Sequence, residues 1–264
     1  MSYQQGNATL VDYSGIQKVI WDLDGVFWSY YAFPENVLYN ICVEENAKTA
    51  MKVIPSLDYG RATELVLNSY RQHHDCFSGL IDEAGAKGIS KEELIKGVFH
   101  EYHKRLYSRI KEECPSVFLP CMKTINAFRQ LHGKVNHVIL THASEKEWAL
   151  PYLKDTGIAR FFEMVLDFEA IGFQSKGSGP EGIAMALGDT DPLRAVFVED
   201  CREYIRVAKE AYPDLRAVLV HDKNSMKPVP EDMVVIASPL EVLRELCVYK
   251  NSGMTVRPEF SLSL

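Results

Sequence analysis

The sequence predicts an α/β fold, a doubly wound parallel-sheet core that carries an inserted all-helical block. Three observations predict it. Short apolar runs (Val19-Ile20-Trp21, Val138-Ile139-Leu140 and Ala195-Val196-Phe197-Val198) each stop at a polar residue, as buried strands do. Helix-period segments separate the later runs, the pattern of parallel strands joined by crossovers. Between the first and second runs, residues 34–115 carry apolar side chains at helical spacing and no convincing strand.

Taken in order, residues 1–16 are polar, include Gly6 and Gly15, and are expected as a mobile arm. The first strand ends in Asp22-Leu23-Asp24-Gly25. Residues two apart on a strand point the same way. Asp22 and Asp24 should therefore converge at the strand's carboxyl end, where open α/β sheets place their sites. Converging carboxylates serve a hard cation, nucleophilic attack or proton transfer, and a solvated Asp-x-Asp-Gly turn is the alternative. In the insert, Pro34-Glu35 marks a helix start, and residues 58–72 form a further helix. Ser90-Lys91-Glu92-Glu93 is a capping box that opens a helix through Leu94, Val98, Tyr102 and Leu106.

The core resumes near Leu119-Pro120 with a helix over 121–132, stopped by Gly133. A strand over 135–140, a helix opened by Ser144, a strand-like run over 161–166 and a helix over 180–187 follow. Then come a strand over 195–198, a helix over 202–212, strands over 216–220 and 234–236, and a closing helix over 239–247. The expected division is a core of residues 17–33 and 116–250, an insert over 34–115, and a loose tail over 251–264.

With 264 residues and 47% hydrophobic content, the chain can build a core, which argues against disorder. A net charge of −7 disfavours binding to nucleic acid polymers. It still admits a small anionic substrate, because a bound cation and one lysine reverse the sign locally. Six scattered cysteines, without Cys-x-x-Cys or zinc-spaced histidines, are expected as reduced thiols in a cytoplasmic protein. The first residues lack the pattern of a signal peptide, and no apolar stretch approaches membrane-spanning length. Monomer and homodimer both remain open.

Asp22-Leu23-Asp24-Gly25-Val26 after an apolar strand resembles the first motif of the haloacid dehalogenase (HAD) superfamily of aspartate-nucleophile phosphotransferases. Thr141 at the end of the second run, Lys176 in a loop, and Glu199-Asp200 at the end of the third follow in that family's order, across roughly residues 18–220. The resemblance implies a Rossmann-like core, a mobile helical cap, Mg²⁺ as cofactor and a small phosphorylated metabolite as substrate. It makes Asp22 the nucleophile that becomes an aspartyl-phosphate, Asp24 the general acid and base, and Lys176 the catalytic group that offsets charge between the phosphate and Asp22. The implied metal ligands are Asp22, the main-chain carbonyl of Asp24, and Asp200. Glu199 would bind directly, through water, or only hold Lys176. Thr141, His142 and Lys176 would meet the substrate phosphate, although a lone histidine such as His142 is more often structural. Where the family often has Lys-Pro, this chain has Lys176-Gly177.

Asp24 favours phosphate chemistry over dehalogenation of a haloacid, and Lys48, Lys52, Lys87 and Lys91 lack the apolar setting that a phosphonate hydrolase would need. A phosphomutase would share every core motif, and a non-catalytic scaffold is disfavoured by the complete set. Within the insert, residues 69–75 followed by Gly79-Leu80 resemble the cap of the pyrimidine 5′-nucleotidase branch, which implies nucleoside 5′-monophosphates as substrates. Phe99, Tyr102 and Tyr107 could stack a base but stand at core spacing, and His73-His74 have no partner at ligand spacing.

Overall fold

The computed structural model describes residues 12–33, 37–73, 77–221 and 233–252. The insert contributes α1 (Val37–Val53), α2 (Tyr59–His73), α3 (Ser78–Ala86), α4 (Lys91–Leu94) and α5 (His100–Glu113), with no strand among its described residues. A π-helical stretch, Ile95–Phe99, joins α4 to α5. The core contributes α6 (Met122–Leu131), α7 (Leu150–Asp155), α8 (Glu181–Leu187), α9 (Arg202–Ala211) and α10 (Pro239–Ser252). Its strands are β1 (Lys18–Trp21), β2 (Asn136–Leu140), β3 (Met164–Leu166), β4 (Ala195–Glu199), β5 (Arg216–Val220) and β6 (Val234–Ile236). They form one six-stranded sheet in the order β3-β2-β1-β4-β5-β6, and every pairing is parallel.

β1 lies in the middle, and all four of its residues are buried. That is why it reads as a continuous apolar run rather than an alternating one. Its lysine is accommodated by geometry: Lys18 Nζ donates to Ala186 O (3.1 Å) and Leu187 O (2.9 Å) in the last turn of α8, where Leu187 O also accepts the Thr190 N–H (3.0 Å). Register then positions the site. Trp21 lies opposite Ile139 of β2 and Val198 of β4. The residues that follow these three strands therefore emerge side by side, where the strand order switches direction.

The capping box forms as expected: Ser90 Oγ accepts from Glu93 N (3.2 Å), and Glu93 Oε2 accepts from Ser90 N (2.9 Å). Other expectations shift. The strand-like run over 161–166 keeps only Met164–Leu166, because Ala159–Phe161 is a 3-10 turn and Phe161 stacks on Phe128 at 5.5 Å. The helix opened by Ser144 begins with a π-helical stretch, Glu145–Ala149, before α7. One extra residue per turn is invisible to a 3.6-residue period. Tyr13 and Ile16, inside the expected arm, are buried, and Tyr13 packs on Tyr249 of α10 at 6.4 Å. α10 itself runs to Ser252, past the expected end at 247. Residues 1–11 and 253–264, Pro34-Glu35, and His74 to Cys76 lie outside the described residues.

The insert rests against the carboxyl ends of the strands. Phe77 and Phe99 each meet Phe168 at 6.0 Å, and Tyr107 meets Trp148 at 5.9 Å. Lys91 Nζ donates to Gly172 O at 3.1 Å. Within the insert, Arg105 and Arg109 of α5 pair with Glu45 of α1 at 2.8 and 2.9 Å.

Two histidines are buried and neutral. Burial pushes both His103 and His137 down to about 3. His103 Nδ1–H donates to Phe99 O (2.8 Å), and His137 Nδ1 accepts from the Trp21 indole (3.2 Å). Between pH 6.5 and 3 the unfolded chain binds protons that the folded chain refuses, so stability is full above pH 6.5 and falls on acidification. The expected slope is about 1.4 kcal/mol per pH unit for each histidine. His103→Gln keeps a donor for Phe99 and removes one titration. Its urea midpoint should lose less between pH 7.5 and pH 5 than the wild type's, and equal losses would show that His103 is not held neutral.

Candidate active site

The site is built where β1, β2 and β4 end. Asp22 is still tied to the sheet, its N–H donating to Val198 O at 2.8 Å, and its carboxylate is buried. Asp24 follows, and Gly25 turns the chain away at φ +81°. A Cβ on Gly25 would lie 2.1 Å from Asp200 Oδ2 and 2.6 Å from the Tyr30 ring. Only glycine permits both the conformation and the approach of Asp200.

Lys176 reaches in from the loop before α8. Its Nζ lies 2.6 Å from Asp22 Oδ1 and 2.7 Å from Glu199 Oε2, and 4.9 Å from the centre of the Tyr204 ring. The other oxygen of Glu199 accepts the N–H groups of Asp200 (3.0 Å) and Cys201 (3.1 Å), at the start of α9. Both Glu199 oxygens are therefore engaged. Burial, reinforced by Glu199, pushes Asp22 up to about 7, with Lys176 pulling the other way. Burial raises Glu199 to about 7 even beside Lys176, and burial with Asp22 nearby raises Asp200 to about 7. Burial alone would lower the lysine, but Asp22 and Glu199 outweigh it and hold its ammonium above the ordinary range.

Asp24 carries a different set of partners. Its Oδ1 accepts the indole N–H of Trp28 (3.1 Å) and of Trp148 (2.8 Å). Burial and Asp22 raise it to about 7, and the two indoles oppose that rise. Thr141, fully buried after β2, accepts Ala143 N–H at Oγ1 (3.0 Å), which leaves its hydroxyl proton to point elsewhere. His142 Nε2 accepts the backbone N–H of Lys176 at 2.9 Å. Burial and then Lys176 hold His142 well below its usual range, so it is neutral and braces the lysine loop. Tyr204 supports the same loop, standing 3.1 Å from where a Cβ on Gly177 would sit.

All the sequence-predicted site residues thus meet in one place: Asp22, Asp24, Thr141, His142, Lys176, Glu199 and Asp200. Trp148, Trp28, Tyr204 and Asp167 were not singled out. Asp167 accepts from Glu145 N (2.8 Å) and Ala170 N (2.9 Å) and had a legible signal, an acid directly after β3. Trp148 had none, since nothing in its local pattern points at Asp24. Phe99 and Tyr102 are core residues, at 1% and 4% exposure. Among the exposed rings, Tyr30 stands against Gly25, and Tyr39 and Tyr70 pair edge to face.

Four carboxylates share one lysine here, an excess of negative charge that suits a cation. Oxygens of Asp22, Glu199 and Asp200 lie within 4.8 Å of one another, an all-oxygen donor set of the kind hard divalent ions take.

No protein-family model matches the sequence, and no curated protein matches it either. Solved structures do match. A beta-phosphoglucomutase from Clostridium difficile is 18% identical, over 90% of this chain and 99% of that one, with a TM-score of 0.54. A HAD phosphatase from Thermococcus onnurineus is 15% identical, over 88% and 97%, with a TM-score of 0.51. The chain shares the fold of these two structures.

Lys176→Met would leave Asp22 and Glu199 buried without their counter-charge. The expected cost at pH 8 is about 3 kcal/mol, the scale of breaking a buried pair from one side. Lys96→Met, at a surface pair with Glu92, should cost under about 1 kcal/mol. Equal urea midpoints for the two variants would deny the lysine its place in the site.

Proposed function

We propose that this chain is a Mg²⁺-dependent phosphomonoester hydrolase that works through an aspartyl-phosphate, on a small phosphorylated metabolite in the cytoplasm. The observation that carries the reading is the placement of Asp22 against Lys176, with Asp24 and Asp200 beside it. Asp22, the main-chain carbonyl of Asp24, and Asp200 would hold the ion. Glu199, with both oxygens engaged, would hold Lys176 instead. Bound there, the cation supplies positive charge to the phosphoryl oxygens.

In the first step an Asp22 oxygen attacks phosphorus, and the bond from phosphorus to the ester oxygen breaks. Asp24 gives its proton to the departing oxygen. In the second step Asp24 takes a proton from water as that water attacks the aspartyl-phosphate, which frees inorganic phosphate and restores the Asp22 carboxylate. Throughout, the Lys176 ammonium and the Thr141 hydroxyl hold phosphate oxygens, and His142 keeps the lysine loop in position.

For the substrate, the reading is a nucleoside 5′-monophosphate, pyrimidine ones first. Two things support it: the nucleotidase-like stretch from residue 69 to Leu80, and the half-exposed rings of Tyr30, Tyr39 and Tyr70. Tyr39 meets Tyr70 edge to face at 6.4 Å, and Tyr30 stands against Trp28 and Gly25. A second reading, a sugar-phosphate phosphatase or phosphomutase, is favoured by the fold likeness to a beta-phosphoglucomutase.

Asp22→Asn should cut turnover by on the order of 10⁴-fold with an unchanged circular dichroism spectrum. Chelation should silence the wild type until Mg²⁺ is returned. Full activity in a folded Asp22→Asn protein would end the proposal.

A panel of nucleotides and sugar phosphates, scored by released phosphate, separates the two substrate readings. The nucleotide reading expects higher kcat/KM for pyrimidine nucleotides, and Tyr70→Ala should lower the nucleotide-to-sugar-phosphate ratio about tenfold, the worth of one stacked base. A preference for sugar phosphates leaves the hydrolase chemistry and removes the nucleotide.

A further inference from the structure

Asp24 must give a proton in one step and take one in the next, so which of its oxygens carries the proton, and where that oxygen points, decides whether either transfer happens. Both Trp28 and Trp148 bring their indole N–H to the same oxygen, Oδ1. An indole nitrogen can only donate. Two donors on Oδ1 occupy both of its lone pairs and leave Oδ2 as the oxygen that bears the proton.

The indoles are themselves held. Trp28 is 8% exposed and Trp148 is 2% exposed, and the two rings meet edge to face at 6.2 Å. Trp28 is turned back on Asp24 by a backbone bridge between those two residues. It is packed by Tyr30 (5.0 Å) and Phe33 (5.6 Å), on the segment that leads into the insert. Trp148 sits in the π-helical stretch after Ser144 and takes the edge of Tyr107, from α5 of the insert, at 5.9 Å. The insert therefore touches the Trp148 indole through α5, while the segment that leads into it packs the Trp28 indole.

We infer that Trp28 and Trp148 are the positioning residues of the acid–base step, a paired indole clamp that fixes Asp24 with Oδ2 toward the reacting oxygen and that the insert braces at Trp148 through Tyr107. The inference rests on the proposed hydrolase reading. A purely structural role, satisfying a buried carboxylate, would slow every substrate alike. A clamp on the proton carrier acts only where the leaving oxygen needs a proton.

The test uses the full-length protein with Mg²⁺ and a series of phosphate monoesters from 4-nitrophenyl phosphate, whose leaving group departs unprotonated, to alkyl phosphates, whose leaving group does not. In Trp148→Phe the ratio of kcat/KM for the 4-nitrophenyl ester to that for the alkyl esters should rise by on the order of 10- to 100-fold, a share of what a placed acid–base group contributes. KM should change little. Trp28→Phe removes the other donor and should move the ratio the same way, which keeps the test decisive if Trp148→Phe does not fold. In an Asp24→Asn background, where no proton is carried, adding Trp148→Phe should leave the ratio where Asp24→Asn alone puts it. A uniform loss across the series in both tryptophan variants overturns the clamp and leaves the hydrolase standing. A wild type inactive on every ester overturns both.

Discussion

One buried ammonium carries the site. Lys176 Nζ lies between Asp22 and Glu199, 2.6 and 2.7 Å away, with all three side chains buried. Two carboxylates could not remain there without it, because an uncompensated buried charge costs several kcal/mol. The lysine in turn depends on what surrounds it. His142 ties its backbone, Tyr204 lies beneath its ammonium, and α9 begins where Glu199 accepts the N–H groups of Asp200 and Cys201. Even so, the balance stays negative, and burial raises Asp22, Asp24, Glu199 and Asp200 together toward neutrality. That residual charge is the physical reason a divalent cation fits the site.

The parallel sheet makes this concentration of charge possible. Hydrogen bonds hold β1 between β2 and β4 in a register that aligns their carboxyl ends. The chain can therefore place Asp22, Thr141 and Glu199, far apart in sequence, side by side on rigid supports. Gly25 completes the arrangement, since any side chain there would collide with Asp200. The insert leaves from the first of these strand ends and folds back over them. Its contacts, Phe77 and Phe99 on Phe168 and Tyr107 on Trp148, join it to the segments that position the site.

Much of this was legible in the sequence alone. A strand buried on both faces must be apolar along its length and can turn polar only where it ends. The runs before Asp22, Thr141 and Glu199 therefore announce both the strands and the positions of their charged residues. The Ser90 capping box is equally local, which is why it appears as expected. The signal fails where local and tertiary preferences part. Phe161 has strand character but stacks on Phe128, so β3 starts later. The π-helical stretches at Ile95–Phe99 and Glu145–Ala149 depart from the 3.6-residue period, and periodicity does not register them.

By itself, the sequence determined the α/β class, the helical insert and which carboxylates and lysine gather at the strand ends, because these depend on burial patterns and residue types written into short stretches. Only the tertiary structure decided what each group does to the others. It engaged both Glu199 oxygens, turned His142 into a brace for the lysine loop, and brought Trp148 to Asp24 across 124 positions of sequence. Those outcomes turn on distances of about 3 Å between segments with no local relation, and a hydrogen bond between distant side chains leaves no trace in the sequence around either partner.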